Sequence, residues 1–372
     1  MISQQTTTRE ERGQAIAKLD GQVKRIDDCL YVVKSQSHNG EYTVNKVDGE
    51  WICECPDNTY RHTVCKHIHA VNFSQSLRAE VAVRRIAPIE NLSECIYCGS
   101  PHIVKDGVRK NKSGNLQVFN CKDCHRDFTV NIGFERMKHN PQAITSAMQL
   151  YFSGESLRNT MESLKLLGVE VSHQTILNWI RKYTKIMQTY VEKLQPIVGD
   201  TWRADELWIK VKGNLKYLFA MMDDETRFWI AQEVADSKDR HDARTLFSRA
   251  NYLMGKKPQT LITDGLKAYH SASMRTYPTT NHIKSIKFTS NQNNNKMERF
   301  NGEIRDREIV MRGLKTDNTA ILTGYQLYHN YFRPHEALDG KTPSEACGIK
   351  IEGKNKWITL IQNASKVNNP KI

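Results

Sequence analysis

Seven of the nine cysteines in this chain fall into two tight groups, and that spacing constrains local folding more than any other pattern in it. The first group is Cys53-Glu-Cys55, followed by Cys65-Lys-His67. The second pairs Cys95-Ile-Tyr-Cys98 with Cys121-Lys-Asp-Cys124. Thiolates, with or without one imidazole, suit the tetrahedral preference of zinc. Four protein ligands leave no open coordination position, so each set predicts a structural zinc that a small module needs in order to fold. His62 and His69 are alternatives to His67, and His125 is a minor rival in the second set. Cys29 and Cys347 stand apart as unligated thiols.

The surrounding composition agrees with a reducing compartment. No run of about 18 apolar residues is present, so no membrane span is expected. The polar N-terminus lacks the apolar core of a signal peptide, which predicts an intracellular protein whose clustered thiols bind metal rather than pair. At 372 residues the chain has room for more than one domain, and its net charge of +13 points to a polyanionic partner. Residues 201–372 carry +9 of that excess and residues 1–200 only +4.

The basic half also holds three acids in informative settings. Asp205 lies in Trp202-Arg-Ala-Asp-Glu-Leu-Trp-Ile-Lys-Val211, which alternates like a strand and puts Asp205 in phase with Leu207, Ile209 and Val211. A carboxylate on an apolar face is costly unless paired, and a cation offsets that cost. Asp264 ends the apolar run Thr260-Leu-Ile-Thr and precedes Gly265. Glu298 follows the Asn293-Asn-Asn stretch, at the entrance to a helix. On that helix Met297, Phe300 and Ile304 form one stripe; Glu298, Asn301, Gly302 and Arg305 form another. Three converging carboxylates are the minimum set for two hard divalent cations, magnesium or manganese, acting on a phosphodiester. Arg305, with Arg299 and Asn301, is placed to contact DNA phosphate. Glu206, Asp223 and Asp224 are rivals for the first position.

Asp205-Glu-Leu-Trp-Ile-Lys-Val-Lys-Gly, Thr263-Asp-Gly-Leu-Lys-Ala-Tyr and Asn295-Lys-Met-Glu-Arg-Phe-Asn-Gly resemble the three blocks of DDE insertion-sequence transposases. They are most similar to the prokaryotic cointegrate-forming group and to retroviral-type integrase cores. Thirty-three residues separate Asp264 from Glu298, close to the spacing of such cores, and Tyr331-Phe-Arg-Pro-His-Glu-Ala-Leu-Asp-Gly-Lys-Thr-Pro matches their closing signature. The resemblance covers about residues 140–350. It implies a ribonuclease-H-like core with Asp205 on the first strand, Asp264 after the fourth and Glu298 on a later helix. It further implies metal-dependent cleavage at transposon ends, then attack of the freed 3′-hydroxyl on target DNA, with Arg305 on phosphate and His335 near the site. A prokaryotic, cytoplasmic, nucleoid-associated enzyme that forms a homo-oligomer on DNA follows from the same likeness. The order C-x-C…C-x-H resembles the SWIM zinc finger, and the paired C-x-x-C knuckles are a zinc-ribbon signature.

The fold class expected is therefore multidomain α+β and α/β: a ribonuclease-H-like catalytic core preceded by two small zinc modules and a helix-turn-helix. Its boundaries are a polar arm or loosely held helix over 1–28, a SWIM-type finger over 29–75, a zinc ribbon over 93–130, a helix-turn-helix region over 140–192, the DDE core over 198–345, and a polar tail over 346–372. In the ribbon, Arg109, Lys110 and Lys112 form a basic hairpin able to meet phosphate. In the trihelical region, helices are expected at Ala143–Phe152, Leu157–Leu166 and Thr175–Tyr190, the last capped by Ser172. His173, Gln174, Asn178 and Arg181 are available to a DNA groove, with Trp179, Leu177 and Ile180 in the core. Two other readings differ in class: a catalytically silent, transposase-derived zinc DNA-binding regulator, and a SWIM-type interaction scaffold.

Overall fold

The computed structural model describes residues 8–368 except 20, 27–28, 48, 80–83, 90–91, 112–113, 130, 285–293, 311–313, 315 and 317–318. The N-terminal module opens with helix α1 (Arg9–Lys18), which has a reciprocal capping box between Thr8 and Glu11. An antiparallel sheet follows, made of β1 (Val23–Arg25), β2 (Leu30–Lys34), β3 (Glu41–Val47) and β4 (Glu50–Cys53). A short helix α2 (Pro56–Thr59) and then α3 (Lys66–Ala79) complete the module. Tyr31, Val33 and Val44 of the sheet bury against Ile16, Ile68 and Val71 of the helices. Gly13 lets α1 approach α3 closely, since a Cβ there would lie 2.4 Å from His69 Cβ. Of the polar arm or loosely held helix expected over 1–28, the residues from Thr8 onward include α1 and β1, with Gly13 and Ile16 seating α1 on α3.

Strand β5 (Arg84–Ile86) leads to a three-stranded antiparallel ribbon of β6 (Ile103–Asn111), β7 (Gly114–Cys121) and β8 (Asp127–Thr129). Next come α4 (Pro141–Ser153), α5 (Leu157–Leu166) and α6 (His173–Val191), capped by Asn140, Ser156 and Ser172 through side-chain oxygens that accept backbone N–H bonds.

The core sheet is built from β9 (Thr201–Val211), β10 (Asn214–Asp223) and β11 (Trp229–Ala235), then α7 (Arg240–Met254), β12 (Thr260–Thr263), α8 (Lys267–Thr276) and β13 (Asn281–Lys284). Strand order is β11-β10-β9-β12-β13, antiparallel across the first three and parallel from β9 through β13. Lys212 and Gly213, with φ of 52° and 85°, make the two-residue β9–β10 turn. Leu207, Ile209 and Val211 are buried at about 1–2 % exposure, contributing about 1.5–3 kcal/mol each, while Trp208 on the alternate face is 46 % exposed. Helices α9 (Asn295–Val310) and α10 (Ala320–Tyr331) then pack on the sheet, followed by α11 (Pro343–Ala346). This mixed sheet with packed helices is the ribonuclease-H-like layout: Asp205 lies on its first strand, Asp264 just past its fourth, and Glu298 on a later helix.

The polar tail expected over 346–372 is corrected. Strand β14 (Ile349–Ile351) pairs in parallel with β5, and α12 (Lys356–Asn368) packs on α6 and α4. Trp357, Leu360, Ile361 and Ala364 recur at helical spacing and are all buried. Trp357 stacks on Phe332 with ring centroids 3.5 Å apart and donates its indole N–H to Gln149 Oε1 at 2.8 Å. The apolar stripe is short and interrupted by polar residues, so composition hid it.

Candidate active site

Strand register places the acids. In the β9–β12 pair Ile262 lies opposite Arg203, and continuing that parallel register two residues sets Asp264 beside Asp205. The carboxylate oxygens of Asp205, Glu206 and Asp264 all lie within 4.8 Å of one another. Asp205 Oδ1 accepts the Glu206 backbone N–H at 3.0 Å, and its Oδ2 accepts Asn301 Nδ2 at 2.9 Å. Glu206 accepts from Tyr269 Oη at 2.7 Å and from Lys238 Nζ at 2.8 Å, with its side chain 3 % exposed. Asp264 accepts the Leu266 N–H at 3.0 Å. Burial, then the neighbouring Glu206 and Asp264 charges, push the Asp205 carboxyl up to about 7 despite the two hydrogen bonds. An all-oxygen donor set crowded with negative charge fits a hard divalent cation.

Glu298 lies in the first turn of α9, exposed, one turn before Asn301 and outside this cluster. Asn301, expected among the DNA contacts, is 5 % exposed and commits its amide to Asp205. Arg299 and Arg305 are exposed on α9.

The two remaining rivals for the first acid have other partners. Asp223 Oδ2 accepts the Thr226 N–H at 2.8 Å and its hydroxyl at 2.6 Å. Asp224 pairs with Arg203 and, at 2.8 Å, with Lys296 Nζ in a buried triad. Nothing in the local sequence marks this triad, because its members come from β9, the end of β10 and the start of α9. It ties the entrance of α9, two residues before Glu298, to the strand that carries Asp205.

The cysteine groups are compact. Ligand atoms of Cys53, Cys55, Cys65 and His67 lie within 4.8 Å of one another, as do those of Cys95, Cys98, Cys121 and Cys124. His67 Nδ1 is 3.7 Å from Cys53 Sγ and 3.9 Å from Cys65 Sγ; Cys95–Cys124 and Cys98–Cys121 Sγ separations are 3.6 Å. Two sulfurs about 2.3 Å from one tetrahedral zinc are about 3.8 Å apart, and a sulfur–nitrogen edge is about 3.6 Å, whereas a disulfide is about 2.05 Å. The donor sets therefore fit zinc, and His67, rather than His62 or His69, completes the first. His125, Cys29 and Cys347 lie outside both groups.

Comparison with known proteins gives three findings. Residues 199–335 match the family model of the DDE domain, IS240 type. The chain is 28 % identical over 230 residues to the transposase for insertion sequence-like element IS431mec of Staphylococcus aureus, covering 59 % of this chain and 98 % of the relative. Identity and coverage are the same for the Staphylococcus aureus transposase for insertion sequence element IS257 in transposon Tn4003. They show a DDE-type transposase. Among solved structures, the HTLV-2 integrase catalytic core domain in complex with magnesium (dimeric form) aligns at 20 % identity and a TM-score of 0.31, over 42 % of this chain and 98 % of that one.

Helix α6 of the transposase has one buried and one exposed face. On α6 Ile176, Trp179 and Ile180 are buried and Leu177 is half-buried, while His173, Gln174, Asn178 and Arg181 are exposed. Gln174 Nε2 donates to Asn178 Oδ1 at 3.1 Å, one turn along the same face. Arg109 and Lys110 are exposed on β6, and Lys112 lies outside the described residues. Among the described residues no helix is long and apolar enough to cross a membrane. His335 sits across α9 from the acids, in the wall of a separate cavity with Arg227, His329 and Arg333.

Proposed function

We propose that this DDE transposase cleaves DNA at transposon ends and joins the freed 3′-hydroxyl to target DNA, using Asp205, Asp264 and Glu298. The observation that carries this reading is the carboxylate cluster at the Asp205–Asp264 register position, flanked by α9 with Glu298 and Arg305. Asp205, Asp264 and Glu298 would hold magnesium or manganese, which when bound activates an attacking oxygen and stabilises a leaving one. Asn301 orients the Asp205 carboxylate, leaving its other oxygen lone pairs for the site. Lys238 and Tyr269 hold Glu206 against the strand. Arg305 and Arg299 receive DNA phosphate from the exposed side of α9, and the exposed face of α6 reads the element's ends. Each cysteine group would hold one zinc that keeps its small module folded. The enzyme works in a prokaryotic cell as a homo-oligomer on DNA.

One observation favours a catalytically silent regulator instead: Glu298 stands outside the carboxylate cluster, with Glu206 in the third place. A strand-transfer assay on the element's terminal DNA, with magnesium or manganese, separates the readings. Wild type should give joined products that Glu298→Gln abolishes. DNA binding without breaks or joints in wild type would favour the regulator. Loss of joining in Glu206→Gln with retention in Glu298→Gln would move the third ligand to Glu206.

A further inference from the structure

The side of α9 turned away from the acids walls a cavity of about 460 Å³, within the usual range for a small-ligand site. Asn295, Arg299 and Glu303 lie at successive four-residue steps of α9 and line it. The segment Arg333-Pro334-His335 forms the opposite wall, and His329 of α10 closes the recess. Arg333 is paired with Glu303, and Arg299 is exposed at the rim.

The imidazoles give this cavity its character. His329 is 2 % exposed and its Nε2 lies 3.0 Å from the Arg227 carbonyl, which can only accept, so Nε2 carries the proton. Its Nδ1 is then a lone-pair acceptor, buried without a hydrogen-bond partner and 3.9 Å from Glu303 Oε2, so a donor placed between them would serve both. His335 Nε2 is likewise buried without a hydrogen-bond partner. Burial first, then neighbouring His335 and Arg333, hold the His329 imidazole at about 3; burial, then Arg333 and Arg227, hold His335 at about 4. Both rings are therefore neutral near pH 7, and each brings an unpaired buried ring nitrogen to the same recess, their centroids 4.7 Å apart; a base amino group meets His335 Nε2 when that ring carries its proton on Nδ1. Leaving two buried acceptors unpaired costs about 1–3 kcal/mol each, a cost that a ligand bearing N–H donors removes. Arginine at the rim and acceptors at the floor match a nucleotide, with anionic phosphate outward and base amino group inward.

We propose that this cavity takes one extrahelical nucleotide of the bound DNA, with Arg299 and Arg333 on its phosphate and its base amino group donating to His329 and His335. The proposal rests on DNA being the substrate. Helix α9 is about 10 Å across, so a strand crossing it from the acids reaches the cavity within a few nucleotides. Unstacking that nucleotide costs a few kcal/mol, which the satisfied acceptors and the phosphate contacts offset.

Titration calorimetry of the full chain with deoxycytidylate, thymidylate and inorganic phosphate tests this without requiring catalysis. Deoxycytidylate should bind, and thymidylate, which lacks an exocyclic amine, should bind roughly thirtyfold more weakly, the worth of about two neutral hydrogen bonds. Phosphate should be weaker still. His335→Phe, which fills the recess, should abolish discrimination between the two nucleotides. Arg299→Ala, at an exposed position that leaves the fold intact, should weaken both nucleotides alike. Glu298→Gln should bind as wild type does, since the acids lie across α9. Equal binding of nucleotides and phosphate, unchanged selectivity in His335→Phe, or no binding of any of the three would overturn the proposal. Strand transfer by a protein that fails these tests would leave the transposase reading standing without it. Selective nucleotide binding by a protein that never joins DNA would do the reverse.

Discussion

Asp224→Asn tests whether the buried triad holds helix α9. Arg203 is 1 % exposed, Asp224 2 % and Lys296 16 %, so asparagine would leave two cations facing each other with little water to screen them. Removing one partner of a buried ion pair costs about 3–5 kcal/mol. The acid linkage supplies a second magnitude. Burial pushes the Asp224 carboxyl up, but Arg203 and then Lys296 outweigh it and hold it at about 2, against 3.8 as its ordinary value. A depressed carboxylate contributes fully above the unfolded value and loses its contribution as pH falls through the folded one. That gap corresponds to about 2 kcal/mol, lost mainly between about pH 4 and 2. Both routes predict a loss of about 2–5 kcal/mol, or a core melting temperature lower by roughly 5–15 °C by scanning calorimetry at pH 7. The variant should also lack the part of the wild-type acid sensitivity that Asp224 supplies. Because Lys296 precedes Glu298 by two residues, strand transfer should fall in Asp224→Asn at temperatures where the variant is still folded. A stability change under about 1 kcal/mol, or an acid profile as steep as wild type, would show that the triad carries no such role.

Other outcomes follow from the same geometry. Elemental analysis should find two zinc ions per chain, and a strong chelator should unfold the finger and ribbon while the core melts as before; fewer than one zinc would remove the structural-metal reading. Trp357→Ala should cost about 3–5 kcal/mol, because the indole stacks on Phe332 and fills the α12 interface. An unchanged melt would mean that α12 contributes little. Arg181→Ala should weaken DNA binding and lower its salt slope by about one if this exposed α6 side chain meets phosphate; unaltered salt dependence would take α6 off the DNA.

Much of the site was legible in residue types and spacing. Paired cysteine groups at two- and three-residue steps suit a shared ion, and the structure gathers each set within 4.8 Å. Asp205 in phase with Leu207, Ile209 and Val211 marked an acid on a buried face because strand alternation is local. Capping by Ser172 was visible for the same reason: the partner N–H is three residues away. How the N- and C-terminal segments pack was not legible. Helix α1 is stable because Gly13 fits against α3, and α12 because Trp357 meets Phe332, contacts between residues distant in the chain.

The sequence by itself determined the local chemistry of this protein: which residues can ligate metal, which can cap a helix, and which strand carries an acid inward. These depend on hydrogen bonds and side-chain periodicities that span a few residues. Tertiary structure alone decided that Glu206 joins Asp205 and Asp264, that Asn301 serves Asp205 rather than solvent, and that Asp224 is bound between Arg203 and Lys296. It also decided that two histidine acceptors face one cavity across α9 from the acids. Each of these rests on side chains brought together from separate elements, where burial strengthens charge and hydrogen bonding and so selects partners that sequence spacing does not rank.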